Sequence, residues 1–447
     1  DVVKRKRKSR WTFSDMVDKV VLNSYIGLPI FFIVMYLVFL VAVKLSQPCI
    51  EIINVYLGWL FVEQFGKLLT LMSVPQWLIY FFSEILGGGL VTIGSFIPPI
   101  FFIYISLSIL EDSGYMARAA FIADKFMRKI GLPGKAFIPL IVGFGCTVPA
   151  IMATRTLEKP RDRVFASILT PFISCGAKLP VYTYLVMLFF PQRADIVIFA
   201  LYFLGIIMGI LTGLLLKATI FKSAPGDFVM ELPAYHIPTI NGIFMHTWHR
   251  LKSFLLRAGK TILLVIVIIN ILQVIQIPVG NKNEKTPLLE LGGKLITPVL
   301  QPMGIKNDNW PASVALISGL FAKEAIVGTL QGLYQNSEDE GAIKHLTDNI
   351  KKGFGSNASV FAYLVFILLY SPCAAALTML FKEHGFKWML FDFGYLTVLA
   401  WMVATLVYQI LAFNALSIFW FAVIGVIFII IYINLRSIGS RYAIRAK

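Results

Sequence analysis

Charge is scarce in this sequence, and cysteine scarcer. Only 14% of the 447 residues are charged while 58% are hydrophobic, and mean hydropathy is +0.78. A soluble chain carries about 25% charge, so a water-facing globule is excluded. The four cysteines, Cys49, Cys146, Cys175 and Cys373, are scattered and form no C-x-x-C, which rules out a disulfide framework or a zinc finger. The five histidines, His236, His246, His249, His345 and His384, all fall in polar connections, so a haem-bearing redox enzyme with paired histidines in its spans is a poor reading. A phosphate loop of the form G-x-x-x-x-G-K-[ST] is missing too. "GLPGKAF" at 131–137 has the wrong spacing, and "NKNE", Asn281 to Glu284, reads as a polar turn, so this chain is expected to be no enzyme and to hydrolyse no nucleotide.

What the sequence has instead is long apolar runs. "YIGLPIFFIVMYLVFLVAV", Tyr25 to Val43, carries no charge and approaches the roughly 20 residues that cross hydrocarbon; it is too long for a signal peptide. Further candidates are Val91–Leu110, Phe137–Ala153, Val164–Phe190, Ile196–Leu216, Phe254–Ile275, Ser313–Leu333, Ala358–Leu380, Gly394–Ala412 and Ser417–Leu435. With some of these re-entrant, eight to ten crossings are expected, and the fold class is all-α, a polytopic transmembrane helical bundle in lipid.

The net charge of +16 sits at membrane edges, in "KRKRKSR" (Lys4 to Arg10) and "RTLEKPRDR" (Arg155 to Arg163). That pattern marks cytoplasmic loops and a cytoplasmic amino-terminus, not a nucleic-acid surface. The start at Asp1 suggests an upstream region. Glu51–Phe82 and the basic Ser113–Gly131, with Arg118, Lys125, Arg128 and Lys129, read as interfacial amphipathic helices. Thr219–Arg250, Pro278–Trp310 and Gln335–Ser356 read as polar connections, the last including "SEDE", Ser337 to Glu340.

Helix-weakening residues then appear where lipid would be expected. In "GFGCTVPAIMATR", residues 143–155, Pro149 is placed to free the carbonyl of Gly145 beside Cys146; in "FISCGAKLPVY", residues 172–182, Pro180 is placed to free that of Gly176 beside Cys175. A bare carbonyl in lipid costs several kcal/mol, so such breaks persist where backbone lines a cavity. Two such motifs point to an ion site as strongly as to ordinary packing of small residues. "YSPCAAALTML", with Pro372 and Cys373, follows "GLFAKEAIVGTL", which puts Lys323 and Glu324 in an apolar segment; ionisable groups there are functional by default. The two halves look related, with Ala150 and Ile151 answering Ala325 and Ile326, and paired broken helices point to a transporter's central site. Lys178 is expected to pair with Glu111, Asp112 or Glu324. Glu111 and Asp112 suit the first turn of the helix after Ser113 better than a cation vestibule, and His246 with His249 reads as a solvated face rather than a metal pair.

"LEDSGYMARAAF", "GFGCTVPAIMATRTLE", "SCGAKLPVY", "ELPAYHIPT", "KEAIVGTL" and "SPCAAALTML" together resemble the membrane domain of the FeoB ferrous iron transporters, from about Tyr25 to beyond Gly385. The resemblance implies two Gate-type repeats with broken helices in a bacterial inner membrane, uptake of Fe²⁺ as cargo, and Cys146, Cys175 and Cys373 as metal-path residues. It also implies an amino-terminal GTPase domain, in cis or on a separate chain, using GTP and Mg²⁺ that this chain does not bind, and it leaves room for small cytoplasmic accessory proteins and a homo-oligomer. Thr147 stands where the family has Asn, and Gly176 and Lys178 where it has Ser and Arg. The expected organisation is a basic segment at 1–22 and two halves at 23–250 and 251–447. Metal ligands are expected at Cys146, Cys175, Cys373, Gly145 and Gly176, with Pro149, Pro180, Lys178, Glu324, Glu111 and Asp112 in gating or charge pairing. A transporter of organic solutes such as nucleosides is the alternative; it needs several polar side chains and an aromatic platform facing one cavity.

Overall fold

The computed structural model describes residues 18–19, 21–22, 26–222, 235–236, 238–256, 267, 276–278, 285–334, 342–413 and 417–445. Among these, seven helices are long and apolar enough to cross a membrane: Lys44–Leu71, Phe81–Asp112, Pro160–Phe189, Pro191–Thr219, Asn357–His384, Phe386–Leu411 and Ser417–Gly439. Gly134–Gly145 and Trp310–Phe321 are shorter apolar helices. The Phe254–Ile275 candidate, the Lys4–Arg10 run, Asn281–Glu284 and Ser337–Glu340 lie outside the described residues, wholly or for the most part.

The amino-terminal helix α1 (Gly27–Leu57) packs along α2 (Gly88–Asp112). Between them, over the Glu51–Phe82 stretch read as interfacial, the chain is largely helical. Helix continues from α1 to Leu71, turns at Ser73, which takes a positive φ of 56°, and resumes at Gln76 towards α2. Glu51, Glu63 and Lys67 are spaced so that Lys44–Leu71 keeps a window of 18 residues with no more than two charges, long and apolar enough to cross a membrane.

Helix α3 (Tyr115–Ile130) is the basic amphipathic helix expected there. Arg118 departs from that reading. It is 1% exposed and donates to Asp18 at 2.8 Å and to the Gly114 carbonyl at 2.9 Å, with the Tyr235 ring centred 3.9 Å away. The burial follows from its partners, which neutralise the guanidinium on one side and cover it with an aromatic face on the other.

The core holds two interrupted-helix units. In the first, α4 (Phe137–Gly145) breaks at Cys146 and resumes as α5 (Thr147–Ala153); α6 (Pro160–Leu169) then leads through a short turn to Cys175 and α7 (Leu179–Phe189). A long helix, α8 (Ala194–Thr219), follows, then α9 (Ile240–Phe254). After α10 (Leu288–Leu300) the second unit repeats the scheme: α11 (Trp310–Phe321), a break, α12 (Ala325–Tyr334), α13 (Ala342–Phe354), then α14 (Asn357–Leu369), a break at 370–373, and α15 (Ala374–His384). Helices α16 (Phe386–Leu411) and α17 (Ser417–Arg445) close the bundle.

Helix α14 is apolar on every side and buried nearly throughout, as an apolar helix without a polar stripe must be at a bundle's centre. Ile196, Phe199 and Phe203 on α8, by contrast, are exposed, which suits a lipid-facing wall. One element was not anticipated: three-residue antiparallel strands, β1 (Gln276–Pro278) and β2 (Lys285–Pro287), pair Ile277 with Thr286 in the connection before α10.

The repeats are in step one residue away from the match of Ala150 with Ala325. The extended residue of the first break is Cys146 (φ −156°, ψ 133°) and of the second Ala322 (φ −144°, ψ 120°). In the same register Gly143 closes on Ala150 and Gly319 on Ile326, each where a Cβ would meet the following half-helix. Thr147 therefore corresponds to Lys323. Cys175 and Cys373 both precede their helices in extended backbone, at ψ 162° and 157°.

Candidate functional site

Cysteine stands at three of the four breaks. Cys146 caps α5, Cys373 caps α15, and Cys175 precedes the turn Gly176–Lys178 that feeds α7. All three thiols are free and partly exposed within the bundle.

The prolines act differently from the sequence expectation. Pro149 is the third residue of α5 and Pro180 the second of α7. First-turn amides have no acceptor within their own helix, so proline there removes no hydrogen bond and favours the helix start. Among the described residues no backbone donor reaches the Gly145 oxygen, and the reason is that α4 ends there while Cys146 turns extended. Gly176 is corrected more sharply: its carbonyl accepts the Leu179 N–H in the short turn, so Pro180 does not leave it bare.

The two glycines nevertheless face each other. A Cβ built on Gly176 would lie 3.6 Å from the Gly145 oxygen, with nothing else within 4 Å. The Gly145 oxygen thus lies beside Gly176, between the Cys146 and Cys175 breaks. Cys146 and Cys373 pack against one apolar cluster that includes Ile100, Tyr104, Val148 and Ala376. Cys146 is close enough to Cys373, Cys175 and Glu324 for their charges to interact. Even so, among the described residues no three His, Cys, Asp or Glu side chains are near enough together to hold a metal ion.

Lys178 does not pair with Glu111, Asp112 or Glu324. Its Nζ donates to the carbonyl oxygens of Leu368 at 2.7 Å and Pro171 at 3.1 Å, because those oxygens lie at helix ends and lack amide partners. Glu324 keeps one oxygen buried without a hydrogen bond. Glu111 pairs with Arg250 at 2.7 Å, and the residue before α3 is Gly114 with a φ of +80° and no side-chain cap, so neither Glu111 nor Asp112 starts that helix. Asp112 faces the beginning of α9 near Gly242. His246 and His249 are exposed on α9, consistent with their surface reading.

Sequence reasoning missed a contact between the units. Arg155, just after α5, forms a two-pronged ion pair with Glu383 at the end of α15, one bond being 2.8 Å. This hydrogen bond, and the Glu383 charge behind it, raise the Arg155 pKa above its ordinary value. Next to it Ser167 bridges His384 Nε2 at 2.7 Å and Thr154 Oγ1 at 3.2 Å. Arg155 and Glu383, and Ser167 and His384, are more than 200 residues apart in sequence, and no local pattern announces them. Asp392 was missed as well; both its oxygens are buried without partners in an apolar stretch of α16, and an aspartate inside a span was itself the signal.

Paired interrupted helices, with thiols and helix-end carbonyls gathered where the units meet, define a polytopic membrane protein of the broken-helix repeat class. The family model named Gate, described as nucleoside recognition, matches residues 93–189 and 255–387, and one described as ferrous iron transport protein B C terminus matches 198–250. The chain belongs to the Gate family, and its 198–250 stretch is similar to the carboxy-terminal part of ferrous iron transport protein B. It is 39% identical over 90% of its length to the Fe(2+) transporter FeoB of Shigella flexneri, and equally to those of Salmonella typhimurium and Escherichia coli K12. It spans 58% of the length of these relatives. No solved structure matches it.

Proposed function

We propose that this chain carries Fe²⁺ across a bacterial inner membrane, along a path that passes Cys146, Cys175, Cys373 and the Gly145 oxygen. The observation that carries the reading is that a free cysteine stands at three of the helix breaks, with the Gly145 oxygen, which no backbone donor reaches among the described residues, beside Gly176. Sulfur rejects Mg²⁺ and Ca²⁺, which prefer oxygen. Thiols alone discriminate poorly among Fe²⁺, Co²⁺ and Zn²⁺, so the choice of iron rests on the relatives' names. The thiols' spacing suits a conducted ion better than a trapped one: an ion passed between one or two sulfurs and carbonyls at a time can leave, whereas a closed four-thiolate cage would hold it.

In this reading residues 23–250 and 251–447 are the two halves, the amino-terminus is cytoplasmic, and a GTPase domain on the upstream side biases the gate. The test is uptake of radiolabelled Fe²⁺ by proteoliposomes holding the chain, alone and with its upstream domain, against labelled nucleoside in parallel. Iron uptake that falls at least tenfold in Cys146→Ser and Cys373→Ser supports the path. Uptake indifferent to all three cysteines, or nucleoside uptake in its place, rejects it.

A further inference from the structure

Two lysines sit where a cation path should be most favourable to cations. Lys178 and Lys323 are 4% and 2% exposed. Lys178 Nζ holds the Leu368 and Pro171 oxygens, and Lys323 Nζ holds the Ser371 oxygen at 2.8 Å while standing 3.1 Å from the centre of the Tyr370 ring. Among the described residues neither lysine has a carboxylate at ion-pair distance. Pro171 belongs to the turn that leads to Cys175, Leu368 to the last turn of α14, and Ser371 to the break between α14 and Cys373. The register of the repeats adds a second point: Lys323 occupies the place of Thr147, so the second unit carries an ammonium at the break where the first carries Cys146 and a hydroxyl.

Resting on the path described above, we propose that Lys178 and Lys323 are tethered cations that occupy the peptide oxygens beside its Cys175 and Cys373 breaks and restrict passage to thiophilic divalent ions, excluding Na⁺ and K⁺. An ammonium is a monovalent cation of about the size of K⁺. An alkali ion offers those oxygens no more charge than the lysine already does, and gains nothing from sulfur. A divalent transition-metal ion brings twice the charge and bonds the nearby thiols, so it can take the oxygens over while the lysines swing aside. Such a barrier matters because a path open to alkali ions would dissipate the membrane potential, to which every permeating charge couples.

The experiment compares radiolabelled Rb⁺ flux through proteoliposomes of the full chain. Lys178→Gln with Lys323→Gln removes both charges and keeps a donor for the carbonyls. Rb⁺ flux at least tenfold above wild type is expected, and wild-type flux when both residues are replaced by Arg. Wild-type Rb⁺ flux in the folded Gln variant overturns the proposal. Should that variant fail to fold, acetylation of the intact wild-type chain decides: Lys178 and Lys323 are expected to react with acetic anhydride only in the presence of Fe²⁺, and equal reactivity with and without the metal overturns it. Failure of the wild type to carry Fe²⁺ rejects the path itself, whereas the Rb⁺ comparison judges the lysines.

Discussion

At the residue scale, the site depends on small side chains as much as on sulfur. Gly176→Ala adds a methyl at an ordinary contact distance of 3.6 Å from the Gly145 oxygen. The fold should tolerate it, with stability unchanged within about 0.5 kcal/mol, yet the methyl would stand against that oxygen. Fe²⁺ uptake roughly tenfold lower at an unchanged melting temperature is the expected result. Tyr115 offers a contrasting case. Its hydroxyl is buried without a partner, and burial, helped by Tyr235, pushes its pKa up to about 12. Tyr115→Phe removes an unsatisfied polar group and should hold or raise stability by about 1 kcal/mol. The folded phenol's pKa lies above its ordinary value of about 10, so ionisation of the unfolded chain adds a further loss of stability only above that value, on top of the pH-independent cost of the unpaired hydroxyl. Denaturation at pH 6 and pH 9 should therefore give the same difference.

At the scale of elements, the half-helices that begin at Cys146 and Cys373 are tied together at their far ends. Arg155 and Glu383 join them, and Ser167 links Thr154 to His384 beside that pair. Ser167 is fully buried, so Ser167→Ala should cost about 1 kcal/mol, read from chemical denaturation in detergent. The breaks themselves were legible in the sequence, because Gly, Cys and Pro cluster where an apolar helix has no other reason to weaken. Their mechanism was less so. A proline at a helix's second or third position looks the same in sequence as one in its middle, and only the extended φ and ψ at Cys146 tell them apart. The partners of Lys178 were illegible for another reason: carbonyl oxygens are supplied by every residue, so composition cannot point to Leu368, 190 positions away.

At the scale of the molecule, Arg118 joins three distant pieces of chain. It bonds Asp18 near the amino-terminus, the start of α3, and the Tyr235 ring from the "ELPAYHIP" stretch. Removing a buried partner leaves the other charge uncompensated, so Arg118→Ala should destabilise the fold by about 3 kcal/mol, seen as a lowered midpoint of thermal unfolding; Arg118→Lys should recover only part, lacking the planar two-pronged contact. The sequence placed Arg118 on an amphipathic helix correctly but not its burial, because periodicity cannot foresee that Asp18 and Tyr235 close over it. The membrane class, the helical bundle and the two related halves followed from apolar length and repeated motifs, which are the strongest signals such a chain carries.

The central claim is that thiols at helix breaks meet the transported ion. X-ray absorption at the iron edge, on the Fe²⁺-loaded protein arrested in detergent, tests it most directly. Sulfur in the first coordination shell of the wild type, lost in the Cys146→Ser, Cys373→Ser double variant, is the predicted result; a shell of oxygen and nitrogen alone, identical in both proteins, would contradict it.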